Sequence, residues 1–250
     1  MNVLPAFGAV LLVASACCLS TARAEGPHWS YKGHGGPGEW GELDKEFATC
    51  GSGKLQSPID IRGAKTSAEL PAIRFNYQPV PLQSLENDHT LQVNYPPGSF
   101  MEVGGKRYEL VQFHFHKPSE ERINGKSHDM VAHLVHKDAD GKLAVVAVLL
   151  DKGGANDTID TIWRHRPKHR EEVYKPGVII DASKLLPVQQ GYYTFDGSLT
   201  TPPCSEGVRW FVLKSPTKIG TIHVDAFGRV YPMTARPTQP LNGRAVTATP

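Results

Sequence analysis

The segment Gln112-Phe113-His114-Phe115-His116 alternates polar with aromatic side chains. On a strand, His114 and His116 stand at i and i+2 and point to one face, while Phe113 and Phe115 point to the other. The two imidazoles would lie about 7 Å apart along the strand, near enough to share a metal ion if a third ligand comes from elsewhere. Ala132-His133-Leu134-Val135-His136 offers candidates. On a neighbouring strand His133 and Val135 share the metal face while Leu134 and His136 turn away, which makes His133 the better third ligand. A helix would put His133 and His136 together, but Val131, Val135 and the flanking β-type pattern disfavour it. Three neutral imidazoles without a protein anion leave a +2 ion with an open position, the arrangement of a catalytic site rather than a closed structural one. Imidazole donors favour zinc, although copper, nickel and cobalt fit the same set.

The remaining histidines read differently. His165 and His169 are i and i+4, but Pro167 sits between them among Arg164, Arg166, Lys168 and Arg170, which reads as a solvated basic face. His28 and His34 fall in a Gly-, Pro- and aromatic-rich lead-in over 26–41. A second segment with chemical use is Ser198-Leu199-Thr200-Thr201-Pro202-Pro203-Cys204. A residue before proline is held extended, so threonine groups here can be aimed; the same letters also describe a plain Pro-stiffened turn.

Short alternating runs must carry these residues. Arg74–Tyr77, Thr90–Tyr95, Arg107–His116, Asp129–His136 and Lys142–Leu150 are predicted as strands bounded by Pro, Gly or Asn-Gly. Asn124-Gly125 and Asp140-Gly141 are hairpin-type turns. Helices are predicted at Thr158–Ile162 and Val224–Arg229. With 24 Gly and 20 Pro in 250 residues, turns and short strands dominate. The pattern predicts one mostly β domain with minor helix, and strands this closely spaced disfavour a βαβ sheet. Lys plus Arg number 27 against 25 Asp plus Glu, with no basic stripe, which argues against nucleic acid as a partner.

From Met1 to Ala22 there is no charged residue, Phe7 to Leu19 is apolar and small, and Ala22-Arg23-Ala24 follows. Residues 1–24 read as a secretory signal with an A-x-A cleavage site, leaving 25–250 as the mature domain in the periplasm or outside the cell. The basic n-region of such a signal is missing. An uncleaved membrane anchor and a lipoprotein site at Cys17 are the other readings. Cys17 and Cys18 fall in this leader, so the mature chain keeps Cys50 and Cys204. In an oxidising compartment these have one connectivity, closing a loop worth roughly 4–5 kcal/mol; two buried free thiols are the alternative.

Taken together the motifs resemble the α-class carbonic anhydrases, of the exported bacterial kind. The resemblance rests on Gln56–Ile61 (QSPIDI), Gln112–His116, Ala132–His136, Ser198–Pro203, His28–Tyr31 (HWSY) and Arg236–Leu241 (RPTQPL), and spans nearly all of 26–246. It implies a large, mainly antiparallel twisted sheet of about ten strands with small peripheral helices. It implies one zinc ion per chain on His114, His116 and His133, and reversible hydration of carbon dioxide to bicarbonate and a proton by zinc-bound hydroxide. Thr200 would accept a hydrogen bond from that hydroxide and donate one to Glu120. His89 would occupy the proton-shuttle position and Tyr31 would order the solvent chain. Val135, Val145, Leu199, Val208 and Trp210 would wall the carbon dioxide pocket, and Cys50 and Cys204 match the disulfide of exported members. Anion or sulfonamide inhibitors would bind at zinc; a homodimer is left open.

Two positions depart from the family pattern. Many members place an acid two residues before the third ligand to hold its ring, where this chain has Val131, so His133 is expected to rely on a backbone carbonyl or water. Gln112 keeps the partner role for His114. Lys117 replaces a tryptophan often found after the second ligand. Asp88 is expected to raise the pKa of His89 and shift the pH profile upward. Three rival readings are a catalytically silent binding module, an exported zinc buffer and ester hydrolysis as a side activity. The intact histidine set, together with Thr200 and Glu120, weighs against the first two.

Overall fold

The structure, a computed structural model, describes residues 27–250. The leader, with its cleavage site, Cys17 and Cys18, lies outside the described residues. Six strands form the centre: β1 (Leu91–Asn94), β2 (Lys106–His116), β3 (Met130–Lys137), β4 (Leu143–Lys152), β5 (Tyr192–Ser198) and β6 (Glu206–Leu213). The alternating runs predicted for β1 to β4 match these ranges to within about two residues, and the run at Arg74 gives a marginal strand, Arg74–Asn76. The two predicted helices lie inside α1 (Asp157–Arg164) and α2 (Thr221–Val230). The Asn156 side chain caps α1 by accepting from the Ile159 N–H at 3.1 Å.

The strands lie in the order β5-β6-β4-β3-β2-β1, within a sheet of twelve strands among the described residues. Most neighbours are antiparallel, as expected. Among these six strands the one parallel pair is central: β4 and β6, with Val145 opposite Trp210. Close spacing excludes helical crossovers only from β1 to β4. After Lys152 the chain passes through α1 and β5 before returning as β6, and that length permits a parallel join.

Register then decides which residues meet. His133 on β3 is opposite His114 on β2 and Ala147 on β4, while Val135 is opposite Gln112 and Val145. One face of the sheet therefore presents Gln112, His114 and His116 beside Val131, His133 and Val135. Val145, Ala147 and Trp210 continue it in an apolar cluster that also holds Ile59, Ile61, Phe195 and Val208. The other face carries Phe113, Phe115, Leu134, Val146 and Val148 into a larger core, covered in part by Ile159 and Ile162 of α1 and Phe227 of α2. The alternation of period two read from the sequence is what separates the histidines from the phenylalanines.

A small sheet sits above the histidine face. Asp60–Ile61 pairs in parallel with Arg122–Ile123, which turns back into Lys126–Ser127. The turn is Asn124-Gly125, with φ of +51° and +83°, the left-handed pair that a tight hairpin requires. Cys50 and Cys204 are disulfide-bonded, Cα atoms 5.0 Å apart, tying the segment before Gln56 to the loop after Thr200. No helix among the described residues is long and apolar enough to cross a membrane.

Candidate metal centre

His114, His116 and His133 each offer one ring nitrogen, and the three atoms lie within 4.8 Å of one another. The other nitrogen of each ring is already engaged. His114 Nδ1–H donates to Gln112 Oε1 at 2.8 Å, and His116 Nδ1–H donates to the Thr234 carbonyl at 2.6 Å. His133 Nε2–H donates to the Glu121 carboxylate, 3.1 Å from Oε1. These bonds fix the tautomers, so the free lone pairs are Nε2 of His114, Nε2 of His116 and Nδ1 of His133. His116 Nε2 is buried without a hydrogen-bond partner among the described residues. An unpartnered buried nitrogen is costly in a metal-free fold and is satisfied by a metal ion. The residues thus fit a zinc ion, with three nitrogen donors and an open fourth side.

Electrostatics favour the neutral, metal-binding form at two of the three rings. Burial, reinforced by the charge of His133, pulls His114 down to about 3 and His116 well below its ordinary value. Both stay neutral, as a ligand must. For His133 burial acts in the same direction but is outweighed by the charge and hydrogen bond of Glu121, with Glu120 adding to them, and its pKa is raised.

Glu120 is buried beside the ligands, with Oε2 3.5 Å from His116 Nε2. Its Oε1 accepts from the Arg236 backbone N–H at 2.8 Å. Burial pushes its carboxyl up to about 7, against the opposing pull of His133, with the Thr200 hydroxyl and Arg236 N–H also opposing. The Arg236 guanidinium is held in turn by Gln56 Oε1 and the carbonyls of Ser57 and Cys50, so the Gln56 and Arg236 motifs meet behind the site. Thr200 is buried just beyond β5, in a loop closed by Cys204 N–H donating to the Thr201 carbonyl at 2.8 Å.

A cavity of about 180 Å³ opens on the ligands, lined by Gln112, His114, His133, Val135, Val145, Leu199, Thr200, Thr201 and Trp210. Four of the five expected pocket residues are there. Val208 is not: it packs in the same apolar cluster but borders a different groove, with Lys142, Leu143 and Glu206. It faces Gly197 across the β5–β6 pair, at the end where the register shifts.

His89 lines a neighbouring groove with Trp29, Tyr31, Tyr231 and Thr234. Its pKa is lowered, because burial outweighs the upward pull of Asp88, and His28 adds to the lowering. The upward shift expected from Asp88 is thus corrected; Asp88 is itself paired with Arg170. The Tyr31 hydroxyl is buried without a hydrogen-bond partner among the described residues. Burial and the nearby Glu120 hold its pKa well above 10, against Arg236. His136 turns away as predicted, its Nε2 2.7 Å from the Tyr77 hydroxyl in the opposite core.

Two contributors have no counterpart in the sequence reading. Thr234 acts through a backbone carbonyl, which no residue type announces. Glu121 supplies the partner of His133 that was expected to be a carbonyl or water.

The family model for eukaryotic-type carbonic anhydrases matches residues 35–250. A carbonic anhydrase of Neisseria gonorrhoeae is 45% identical over 245 residues, covering 97% of this chain and 96% of that protein. The solved structure of a hyperthermostable carbonic anhydrase from an active hydrothermal vent chimney is 44% identical, with a TM-score of 0.86, over 89% of this chain and 100% of the other. The α-carbonic anhydrase of Thermovibrio ammonificans, solved with the inhibitor sulfanilamide, is 39% identical with a TM-score of 0.83, over 89% of this chain and 100% of its own.

Proposed function

The chain belongs to the eukaryotic-type (α) carbonic anhydrase family and is an enzyme of that family, and on that premise we propose that it interconverts carbon dioxide and bicarbonate with one zinc ion held by His114, His116 and His133. The observation that carries this reading is the convergence of three free imidazole lone pairs on an apolar cavity that also receives Thr200. When bound, zinc supplies Lewis acidity that lowers the pKa of a water to about 7, a figure taken from carbonic anhydrases themselves and not from this geometry. The chain's own residues do the rest. Val135, Val145, Leu199 and Trp210 hold carbon dioxide against an apolar wall. Thr200, donating to Glu120, has its lone pairs left to orient the attacking water-derived oxygen, a positioning effect. Arg236 fixes Glu120 so that this chain of bonds keeps one direction. His89 takes up the released proton and passes it to solvent, with Tyr31 ordering the path. Sulfonamides would compete for the open metal position, as the Thermovibrio ammonificans complex suggests.

Export completes the proposal: residues 1–24 direct the chain to the periplasm or the exterior, and 25–250 form the working domain. The Cys50–Cys204 bridge favours this, since such bonds persist in oxidising compartments. Zinc analysis combined with stopped-flow carbon dioxide hydration tests the catalytic reading. One zinc per chain is expected, with hydration lost on chelation and restored by zinc. A folded, zinc-loaded chain that does not hydrate carbon dioxide would overturn it and leave the silent module.

A further inference from the structure

We infer that Glu121 is the positioning residue for the third metal ligand, in place of the acid that the ligand strand lacks at Val131; the inference rests on the zinc site proposed above. Glu121 is fully buried. Both carboxylate oxygens face His133 Nε2, at 3.1 and 3.3 Å, and His133 is their hydrogen-bonding partner among the described residues. A buried carboxylate is costly unless its charge is compensated, and a +2 ion beyond the imidazole supplies that compensation. The carboxylate accepts only, so it keeps the proton on Nε2 and turns the Nδ1 lone pair inward, making the ring a stronger donor. The alternative tautomer would set a lone pair against the negative charge.

The approach is from above the strand, not along it. Val131 shares the face of His133 but is packed in the apolar cluster with Ile59 and Ile61. Glu121 comes instead from the loop leading into Arg122–Ile123. That loop is fastened by the Arg122 N–H to the Ile59 carbonyl at 3.2 Å, and by the Ser119 hydroxyl to the Glu121 carbonyl at 2.8 Å. The Asp60–Ile61 pairing therefore acts on the metal through this one side chain.

Zinc release from the loaded protein to a chromophoric chelator, with the visible spectrum of the cobalt-loaded form, tests this on Glu121→Gln and Glu121→Ala. Zinc affinity should fall about 10- to 100-fold in Glu121→Ala, the usual worth of such a partner, chiefly through faster release. Glu121→Gln should fall between, because its amide oxygen still accepts from Nε2–H, and both cobalt spectra should shift. Glu121→Gln has nearly the same shape, so it serves even if the alanine variant does not fold. Wild-type release rate and cobalt spectrum in a folded Glu121→Gln protein would overturn the inference, even if thermal stability dropped. Absence of zinc from the wild type would instead overturn the site itself.

Discussion

His89 lies flat against Trp29, ring centroids 3.6 Å apart and planes within 8° of parallel. The indole covers one face of the imidazole and takes water away from it. Desolvation disfavours the protonated ring, and this outweighs the charge of neighbouring Asp88.

The sign matters for pH dependence. A lowered pKa means His89 is already deprotonated, and ready to accept, at pH values where an ordinary imidazole is still charged. The proton-acceptor limb of kcat should therefore sit below pH 6.5. Trp29→Ala should move it up toward that value, and an NMR titration of His89 should move with it. His89→Ala should lower kcat on the order of 10²-fold in weak buffer, leave carbon dioxide–bicarbonate exchange nearly intact, and be rescued by added imidazole. Unchanged turnover in weak buffer, or no rescue, would send the proton by another route.

Metal analysis separates the two histidines of the Ala132–His136 motif. His133→Ala should lose tight zinc binding, because two imidazoles and water make a poor site. His136→Ala should keep one zinc per chain while losing roughly 1–3 kcal/mol of stability, since it strands the buried Tyr77 hydroxyl. Zinc lost from the His136 variant and kept by the His133 variant would reverse the assignment.

The contrast between these histidines also marks how far the sequence could be read. Alternation along β2 and β3 is local, so it placed His114, His116 and His133 together and sent His136 to the other side. Glu121 reaches His133 only because Arg122–Ile123 pairs with Asp60–Ile61, a contact between distant segments that no spacing encodes. The same holds for the indole over His89, and for the parallel β4–β6 join that brings Trp210 beside Val145. The family resemblance supplied Glu120 and Thr200; it also pointed to Val208, which shares the face of Trp210 on β6 but lies two residues nearer the strand's start, where it borders a second groove. Local periodicity fixes a face; long-range pairing decides what stands opposite it.

Reduction of Cys50–Cys204 should weaken the fold and the site together. The bond closes a separation of 154 residues, worth up to about 5 kcal/mol in the chain-entropy relation. Cys204 also ends the loop that carries Thr200, and the Cys50 carbonyl accepts from the Arg236 guanidinium at 3.0 Å. A Cys50→Ser/Cys204→Ser protein should therefore unfold at lower denaturant and show a reduced kcat while still folded. Two free thiols in unreduced protein from the periplasm would rule out the bond there. Unaltered kcat in the double variant would confine its role to stability.

Paired valine substitutions test whether the cavity is where carbon dioxide binds. Val145 lines the cavity between Val135 and Trp210, so the added ring of Val145→Phe projects into space the substrate needs. Val208 belongs to the same apolar cluster but opens on the groove beside Lys142 and Glu206. Val208→Phe enlarges the same residue type without filling the cavity. Both variants overpack a buried position, and each should lose about 1–3 kcal/mol of stability. Only Val145→Phe should lose kcat/KM for hydration by tenfold or more, about 1.4 kcal/mol of transition-state stabilisation, with zinc content unchanged. Stability is thus held in common while access to the metal differs. Equal losses of kcat/KM in the two variants would place Val208 on the substrate wall after all, and a fully active Val145→Phe would move the substrate elsewhere.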